Sequence, residues 1–113
     1  MKTEQVRVLV GKNVEMVCFA QFGVYIHLEG GILLTVESEF EHGHNTTGKG
    51  RRTTFPVAKS SLMTLLACSV NSASLDASGD LHLTFSNGDT LRVWKQPHYE
   101  SYRLGIAGEE LIA

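Results

Sequence analysis

Apolar and polar side chains alternate with a period of two residues along most of this chain. Val24, Ile26 and Leu28 show the pattern clearly, because Tyr25 and His27 separate them. Successive side chains of a β-strand point to opposite faces, so the alternation predicts strands of an antiparallel sheet that is buried on one face. The same period is found in residues 5–10, 14–20, 32–41, 81–85 and 91–93.

Three short loops predict β-hairpins that share one device, a glycine as the third loop residue. At residues 86–88, a two-residue turn would set Leu83 opposite Arg92 and mix the buried and solvent faces. A three-residue loop with Gly88 in the left-handed conformation pairs Leu83 with Leu91 instead. The same reasoning predicts the pairs Leu81–Val93, Leu28–Ile32, Ile26–Leu34 and Leu75–Leu81, with Gly31 and Gly79 in the loops.

One segment has a helical pattern. Residues 56–67, with the sequence PVAKSSLMTLLA, place Pro56 at a favourable first helical position. Leu62 and Leu65 follow at a spacing that brings both to one side of a helix. The pattern therefore predicts a single short helix over residues 57–67.

Together these elements predict a mainly β member of the α+β class, an antiparallel meander sheet or half-barrel of about seven to nine strands with one short helix. A chain of 113 residues is long enough for one core, so residues 1–113 are predicted to form a single domain. No apolar run approaches the ~20 residues of a membrane span. The N-terminal segment carries charges at Glu4, Arg7 and Lys12 and does not match a signal peptide, so we expect a cytoplasmic protein.

Charge and cysteine content add two expectations. The net charge of −2 gives no reason to expect nucleic-acid binding, for which a basic patch is the usual footprint. Cys18 and Cys68 each lie among apolar residues, in MVCFA and LLACSV. Two free thiols in a reducing compartment are predicted, with a disulfide between them as the alternative.

The stretch ESEFEHGHNTTGKGRRTTF, residues 37–55, concentrates the groups that carry chemistry. His42 and His44 are two residues apart, a spacing that suits a pair of zinc ligands on a strand. The neighbouring glutamates point to the opposite face, however, so a metal would need a third ligand from elsewhere. We therefore predict no metal or cofactor, and we keep a small metal-binding or metal-dependent enzyme centred on His42 and His44 as the alternative. The candidate third ligands are His27, His82 and His98.

Glu37, Glu39 and Glu41 form the second feature of this stretch. Alternate residues of a strand are ~6–7 Å apart, so three carboxylates on one face make a ladder of negative charge. Such a ladder keeps an edge soluble, or it recognises a basic partner. The long loop over residues 42–52 follows directly and is predicted to share in binding. The predicted partner-binding set is Glu37, Glu39, Glu41, His42, His44, Lys49, Arg51 and Arg52.

Catalytic motifs are missing from the sequence. The serines, Ser61 among them, lack a Gly-x-Ser-x-Gly context, and the cysteines lie in apolar runs that disfavour a reactive thiolate. Asp89 and the other loop aspartates are assigned to turn stabilisation. Trp94 and Tyr102 are interpreted as a cover over one end of the core, with an interface role as the alternative. No catalytic residue is predicted, and we expect a protein that is not an enzyme.

The segment GDLHLTFSNGDTLRVWKQPHYESYRL, Gly79–Leu104, resembles a family of small bacterial β-rich proteins of uncharacterised function. The shared pattern is G-x-L-x-L-x-F, an Asn/Asp-Gly hairpin, L-x-V and a final Tyr-Glu-Ser-Tyr. The stretches GKNVEMVCF and LLACSVNSASLD are similar to the family's opening strand and to its segment before the hairpin. The resemblance implies a β-rich fold, and it brings no catalytic residues.

In size, charge and class the chain also looks like the immunity proteins of bacterial toxin systems, including contact-dependent growth inhibition. That likeness implies a cytoplasmic binding protein that blocks the active site of a cognate toxin domain, for which we expect a nuclease. Fold class alone does not decide function, so this is a hypothesis about the partner. We expect a monomer or weak homodimer that binds neither nucleic acid nor membrane, with a self-pairing structural module as a further option.

Overall fold

Ten β-strands form two antiparallel sheets, as a computed structural model describes for residues 2–43, 50–53, 61–97, 101–106 and 109–112. The first sheet has the strand order β1-β2-β3-β9-β10 and the second has the order β5-β4-β8-β7-β6. The mainly β fold class is therefore confirmed. The strands are β1 Val14–Ala20, β2 Gly23–Leu28, β3 Ile32–Val36, β4 Phe40–Gly43, β5 Gly50–Thr53, β6 Val70–Leu75, β7 Leu81–Phe85, β8 Thr90–Val93, β9 Tyr102–Ile106 and β10 Glu109–Ile112.

The predicted hairpin registers are confirmed. Leu83 pairs with Leu91 across the β7–β8 hairpin, and Gly88 has φ +87°. This positive φ is the left-handed conformation that a glycine adopts without the steric cost of a Cβ atom. The hydrophobic pattern thus identified the loop type correctly. The other predicted pairs, Leu81–Val93, Leu28–Ile32, Ile26–Leu34 and Leu75–Leu81, are also found, with positive φ at Gly31 and Gly79.

The two sheets share one hydrophobic core. Their inward-facing side chains belong to a single cluster, in which Ile26 and Leu34 of the first sheet join Leu83 and Leu91 of the second. Tyr102, the first residue of β9, is fully buried within it. Burial of these side chains contributes about 25 cal/mol for each Å² of apolar surface removed from water, which makes this cluster the main source of stability.

The predicted continuous strand over residues 32–41 is wrong, because the chain passes from one sheet to the other in the middle of it. β3 ends at Val36, and β4 begins at Phe40 in the second sheet. Between them, the Glu37 N–H donates to the Ser101 carbonyl at 2.8 Å. The buried Ser38 hydroxyl donates to the Trp94 carbonyl. The period-two alternation continues through the crossing because both segments bury every second side chain against the same core, so the pattern conceals the break.

The predicted strand over residues 5–10 is also wrong. The segment forms the helix α1 (Thr3–Val6) and then a 3-10 helix, Arg7–Leu9. Val6 and Leu9, one helical turn apart, are 1% and 0% exposed, whereas Val10 is 42% exposed. Burial therefore follows a helical spacing, and the alternating valines indicated a period that the structure does not use.

The predicted helix over residues 57–67 is shorter in its described part, since residues 57–60 lie outside the described ranges. A 3-10 helix covers Leu62–Leu65. The backbone then turns at Ala67, whose φ is +67°, a conformation uncommon for residues other than glycine. The Ala67 N–H donates to the Val14 carbonyl at 2.9 Å, which ties this turn to the start of β1.

Cys18 and Cys68 are free thiols, as predicted, and both are partly buried. Within the described ranges, no helix combines the length and the apolar character needed to cross a membrane.

Candidate functional site

Strand β4 separates the predicted binding residues onto two sides of the second sheet. Phe40 and His42 are buried on the core side, whereas Glu41 is half-exposed on the outer side. On the neighbouring β5, Arg52 occupies the register position opposite Glu41, and Arg51 the position opposite His42. His44 and Lys49 lie outside the described residues.

A row of polar residues crosses the outer side of the second sheet from strand to strand. The register pairs Glu41 with Arg92, Arg92 with His82, and His82 with Ser74. Residues that face each other across antiparallel strands share one face of the sheet. We call this surface the charged face, and its described members are Glu41, Asp76, Asp80, His82, Arg92 and Trp94.

Arg92 lies at the centre of the charged face and is held by two contacts. Its Nη2 donates to Asp80 Oδ2 at 2.8 Å, and its guanidinium carbon lies 4.6 Å from the centroid of the Trp94 ring. The hydrogen bond to Asp80, with the charges of Asp76 and Glu41, raises the pKa of Arg92 above its ordinary value. The side chain is 39% exposed. Arg92 therefore presents a fixed positive charge beside an aromatic ring.

Asp76 and His82 form a second pair on this face. His82 Nε2 lies 3.0 Å from Asp76 Oδ2, and the side chains are 39% and 36% exposed. Asp76 Oδ1 also accepts from the N–H groups of Ser78 and Asp80, at 2.9 and 3.0 Å. The hydrogen bond from His82 is the main cause that lowers the pKa of Asp76, and these two backbone bonds add to it. The carboxylate closes the β6–β7 turn and carries a surface charge.

Next to the charged row lies a row of small and hydroxyl-bearing residues. Gly43 is opposite Thr90, and Thr90 is opposite Thr84. Ser72 Oγ lies 2.6 Å from Thr84 Oγ1, and both Ser72 and Thr90 are exposed. The outer side of the sheet therefore combines long charged side chains with an adjacent strip of short polar ones.

The three predicted glutamates do not form one ladder. Glu37 lies on the crossing between the sheets, and its Oε1 is 2.7 Å from Arg103 Nε of the first sheet. Glu39 lies on the same crossing, where its carbonyl accepts from the Trp94 N–H at 3.0 Å. Only Glu41 belongs to a strand, and arginines occupy both cross-strand positions beside it. The negative charge is divided and partly compensated, and whether these residues bind a partner stays a prediction.

On the inner side, His42 connects two segments that are distant in sequence. Its Nε2 lies 2.8 Å from Asp89 Oδ2, and its Nδ1 lies 2.7 Å from Ser61 Oγ. The side chains of His42 and Asp89 are 2% and 5% exposed. Thr64 Oγ1 lies 3.4 Å from the same Asp89 oxygen. We call these four residues the buried cluster after its two buried members, His42 and Asp89; Ser61 is half-buried and Thr64 is exposed. The cluster ties the 3-10 helix and the β7–β8 loop to β4.

The buried cluster has the order of groups found in serine hydrolases, a hydroxyl, an imidazole and a carboxylate. When His42 Nε2–H donates a hydrogen bond to the Asp89 carboxylate, His42 Nδ1 accepts a hydrogen bond from the Ser61 hydroxyl. An acyl-transfer site also needs the imidazole to reach a substrate, and His42 is buried in the core. The arrangement therefore suits a structural clamp. The same contacts occupy both ring nitrogens of His42, whereas a histidine that binds a metal needs one ring nitrogen free for the metal.

A metal centre on His42 has no support in the described part of the chain. No group of three or more histidine, cysteine, aspartate or glutamate side chains there is arranged to hold a metal ion. His82, one of the candidate third ligands, is directed to Asp76 on the outer side of the sheet. His44 and His98 lie outside the described residues.

The centre of the charged face and the partners of His42 were not predicted from the sequence. The predicted β7–β8 register already sets His82 opposite Arg92, so these two members of the charged row could be predicted from the hairpin. The pairing of β4 with β8, which adds Glu41, joins segments about fifty residues apart and has no local signature. Asp89 was interpreted as a turn residue, because its sequence neighbours Asn87 and Gly88 are typical of turns.

Comparison with known proteins identifies a family but no characterised relative. No curated protein and no solved structure matches the chain. A family model described as "Family of unknown function (DUF6188)" matches residues 5–113, nearly the whole sequence. This agrees with the resemblance to an uncharacterised β-rich family. The chain belongs to the family of unknown function DUF6188.

Proposed function

We propose that this protein is a non-enzymatic binding protein that recognises a protein partner through its charged face. The observation that carries the proposal is the Arg92–Trp94 pair at the centre of that face, with Glu41 on one side and Asp80 on the other. Arginine and tryptophan are the residues most enriched among those that dominate binding energy at protein interfaces. Here Arg92 is held by its hydrogen bond to Asp80 and by its contact with the Trp94 ring, so little of its side-chain freedom is lost on binding.

The alternating charges of the row add specificity. Glu41 and Arg92 place a negative and a positive side chain next to each other on the face, while the buried Asp80 holds Arg92 in place; a partner with charges of the opposite order matches the Glu41–Arg92 pair. The internal hydroxyl, imidazole and carboxylate also favour a function without catalysis, because Ser61, His42 and Asp89 contact one another.

The partner that we propose is a bacterial toxin domain, with this protein as its cytoplasmic immunity protein. A small domain of net charge −2 with carboxylates on a rigid face suits the basic active-site cleft of a nuclease, which it would block. Under this proposal the charged face enters the cleft, and the predicted residues Glu37, Glu39 and Glu41 lie along one margin of the contact.

The test is co-expression with the candidate toxin domains encoded beside this gene. The expected result is restored growth and a stable complex that co-purifies. Growth inhibition that this protein leaves unchanged would refute the immunity assignment. If the protein instead binds the product of a neighbouring gene that is not a toxin, and Arg92 is needed for that binding, the binding function stands and the assignment of a toxin partner is wrong.

The surface is tested separately by titration calorimetry with the partner that co-purifies. Arg92→Ala is expected to cost about 2 kcal/mol, about 30-fold in Kd, because it removes the central charge and the ring contact. Glu41→Lys is expected to weaken binding by reversing its charge. Matched controls are Arg7→Ala and Glu15→Lys, which change exposed residues outside the charged face. Equal losses of affinity in the charged-face variants and in the control variants would show that the binding site lies outside the charged face.

The enzymatic alternative centred on His42 and His44 has its own test. Elemental analysis of protein purified without chelators is expected to find no stoichiometric zinc or manganese. Stoichiometric metal that disappears in a His42→Ala/His44→Ala variant would replace the proposal with a metal-dependent function.

A further inference from the structure

Among the residues that the structure describes, strand β1 has a partner strand on one side and none on the other. It pairs with β2 on one side. On the other side, the backbone hydrogen bonds to the described part of the chain are those of its first residue: the Val14 N–H donates to the Cys68 carbonyl at 2.8 Å, and the Val14 carbonyl accepts from the Ala67 N–H at 2.9 Å. From Met16 to Ala20, the described residues form no backbone hydrogen bond on that side. Such an edge presents a row of donors and acceptors that fits another strand.

In contrast to β1, the edge strand β6 of the other sheet is protected. The N-terminal segment covers it, with Leu75 N–H donating to Thr3 Oγ1 at 3.1 Å and Gly11 N–H donating to the Val70 carbonyl at 2.8 Å. Proteins also protect edges with lysine or proline. The sequence of β1, VEMVCFA, contains neither, and the bulge of this strand, between Val14 and Met16, precedes the unpaired residues 16–20. Its single charge, Glu15, precedes the unpaired part.

Exposed apolar side chains surround the β1 edge. Met16 and Phe19 on the strand are 50% and 42% exposed, and Phe22 in the following turn is 64% exposed. Grouped apolar exposure of this kind marks interaction sites on soluble proteins. An unpaired backbone edge and apolar side chains together specify the chemistry of the occupant, which is a second strand with apolar side chains.

We propose that this edge pairs antiparallel with the same edge of a second copy of the chain, so that two first sheets join into one. A two-fold axis through the middle of Met16–Ala20 places Cys18 opposite Cys18 of the second copy. Met16 then faces Ala20, and Val17 faces Phe19. Glu15, which lies in the bulge before this run, comes nearest to the uncharged Gln21 of the second copy, so no like charges meet. The strand is thus complementary to itself in this register.

The area available makes this a weak dimer. With exposed fractions of 50%, 42% and 64%, Met16, Phe19 and Phe22 offer roughly 300 Å² in each copy, given about 150–250 Å² for a large side chain. The pair buries about 600 Å² from these side chains, below the ~1,200–2,000 Å² of a stable interface. Backbone hydrogen bonds across the edge add to this, and we expect dissociation constants of about 10 µM to 1 mM. The contact uses the sheet that does not carry the charged face.

Cys18 provides a direct readout of the register. Opposed residues of antiparallel strands have Cα atoms about 4.5–5.5 Å apart, within the ~4.4–6.8 Å that a disulfide spans. In a Cys68→Ser background, Cys18 is the sole thiol of the chain. Addition of diamide, which is reduced as two thiols join, is expected to give a Cys18–Cys18 dimer whose yield rises with protein concentration. Sedimentation velocity without diamide measures the reversible dimer.

The matched variants carry two added lysines at different places. Met16→Lys/Ala20→Lys sets lysines opposite each other at both ends of the contact, so it is expected to abolish the dimer and the cross-link. Ala77→Lys/Ser78→Lys adds the same charge in the exposed β6–β7 loop and is expected to leave both unchanged. A monomer up to about 1 mM, a dimer that survives Met16→Lys/Ala20→Lys, or a dimer without the Cys18 cross-link would overturn the proposal.

Discussion

The buried cluster around His42 leads to the sharpest stability prediction. His42→Phe keeps an aromatic ring of similar size on the core side of β4 but removes the contacts to Asp89 and Ser61, at 2.8 and 2.7 Å. Asp89 then keeps a buried carboxylate without its imidazole partner. Removing one member of a buried charged or hydrogen-bonded pair typically costs about 3–5 kcal/mol. For a domain whose total stability is about 5–15 kcal/mol, this is a large fraction.

The matched control is His82→Phe on the charged face. His82 and Asp76 make the same type of contact, from Nε2 to Oδ2 at 3.0 Å, but their side chains are 39% and 36% exposed. An exposed pair is worth about 0–1 kcal/mol, because water replaces the lost partner. The two variants therefore remove the same kind of histidine–aspartate pair in a buried and in an exposed setting, and His42→Phe also removes the contact to Ser61.

A third variant tests whether the charge of Asp89 matters. Asp89→Asn retains an oxygen that accepts from His42, so we expect a loss of about 1 kcal/mol, the difference between a charged and a neutral acceptor. In the double variant His42→Phe/Asp89→Leu, the buried carboxylate is gone as well. The loss of stability in this double variant should be smaller than the sum of the losses in the two single variants, because no buried carboxylate is left without a partner.

Urea unfolding followed by the fluorescence of Trp94, the single tryptophan, measures all of these free energies. The expected order of destabilisation is His42→Phe, then Asp89→Asn, then His82→Phe, with unchanged slopes. Losses for His42→Phe and His82→Phe that agree within 0.5 kcal/mol, about the experimental error of such differences, would refute the clamp.

Three further predictions concern the pH dependence, a turn and Ser61. Burial, with the charges of Asp80 and Asp76, raises the pKa of Tyr102 to about 12. The phenol therefore ionises more easily in the unfolded chain, so stability present below pH ~10 should fall by about 3 kcal/mol as the pH rises to about 12, and Tyr102→Phe should flatten this decline in urea titrations. Gly88→Ala, at φ +87°, should cost about 1–2 kcal/mol and Gly88→Asn less, since asparagine tolerates this conformation; equal losses in thermal unfolding would contradict the turn assignment. A fluorophosphonate should leave the intact mass of the protein unchanged, because His42 is buried, and a Ser61 adduct absent from Ser61→Ala would show an active nucleophile.

Local pattern was a reliable guide wherever the partners lie close in sequence. The Leu83–Leu91 and Leu28–Ile32 pairs follow from hydrophobic faces that a one-residue shift would expose, together with the loop glycines. The valines of residues 5–10 show the limit of this reasoning. Their alternation is compatible with a strand, but Val6 and Leu9 bury more completely as one helical turn against β6.

The candidate site could be predicted only in part, because its residues come from strands that are distant in the chain. His82 and Arg92 face each other across a predicted hairpin, so this half of the charged row was accessible. Glu41 joins them through the β4–β8 pairing, which depends on how the two sheets divide the strands between them. Likewise, His42 was predicted as a partner-binding residue, with metal binding as the alternative, while its contacts with Ser61 and Asp89 were not predicted.

By itself, the sequence determined the fold class, the inward and outward sides of β2, β3, β7 and β8 and the registers of three hairpins, because each rests on contacts between near neighbours. For β1 the predicted side was wrong, because a bulge between Val14 and Met16 turns Met16 outward and Val17 inward. Only the tertiary structure decided that the chain crosses between sheets at residues 37–39. The alternation is the same on both sides of that crossing, since both sheets bury their side chains in one core. That crossing separates Glu37 from Glu41, directs His42 to Asp89 and brings Glu41 beside Arg92. The chemistry of the surface therefore depends on which strands become neighbours, which local periodicity does not encode.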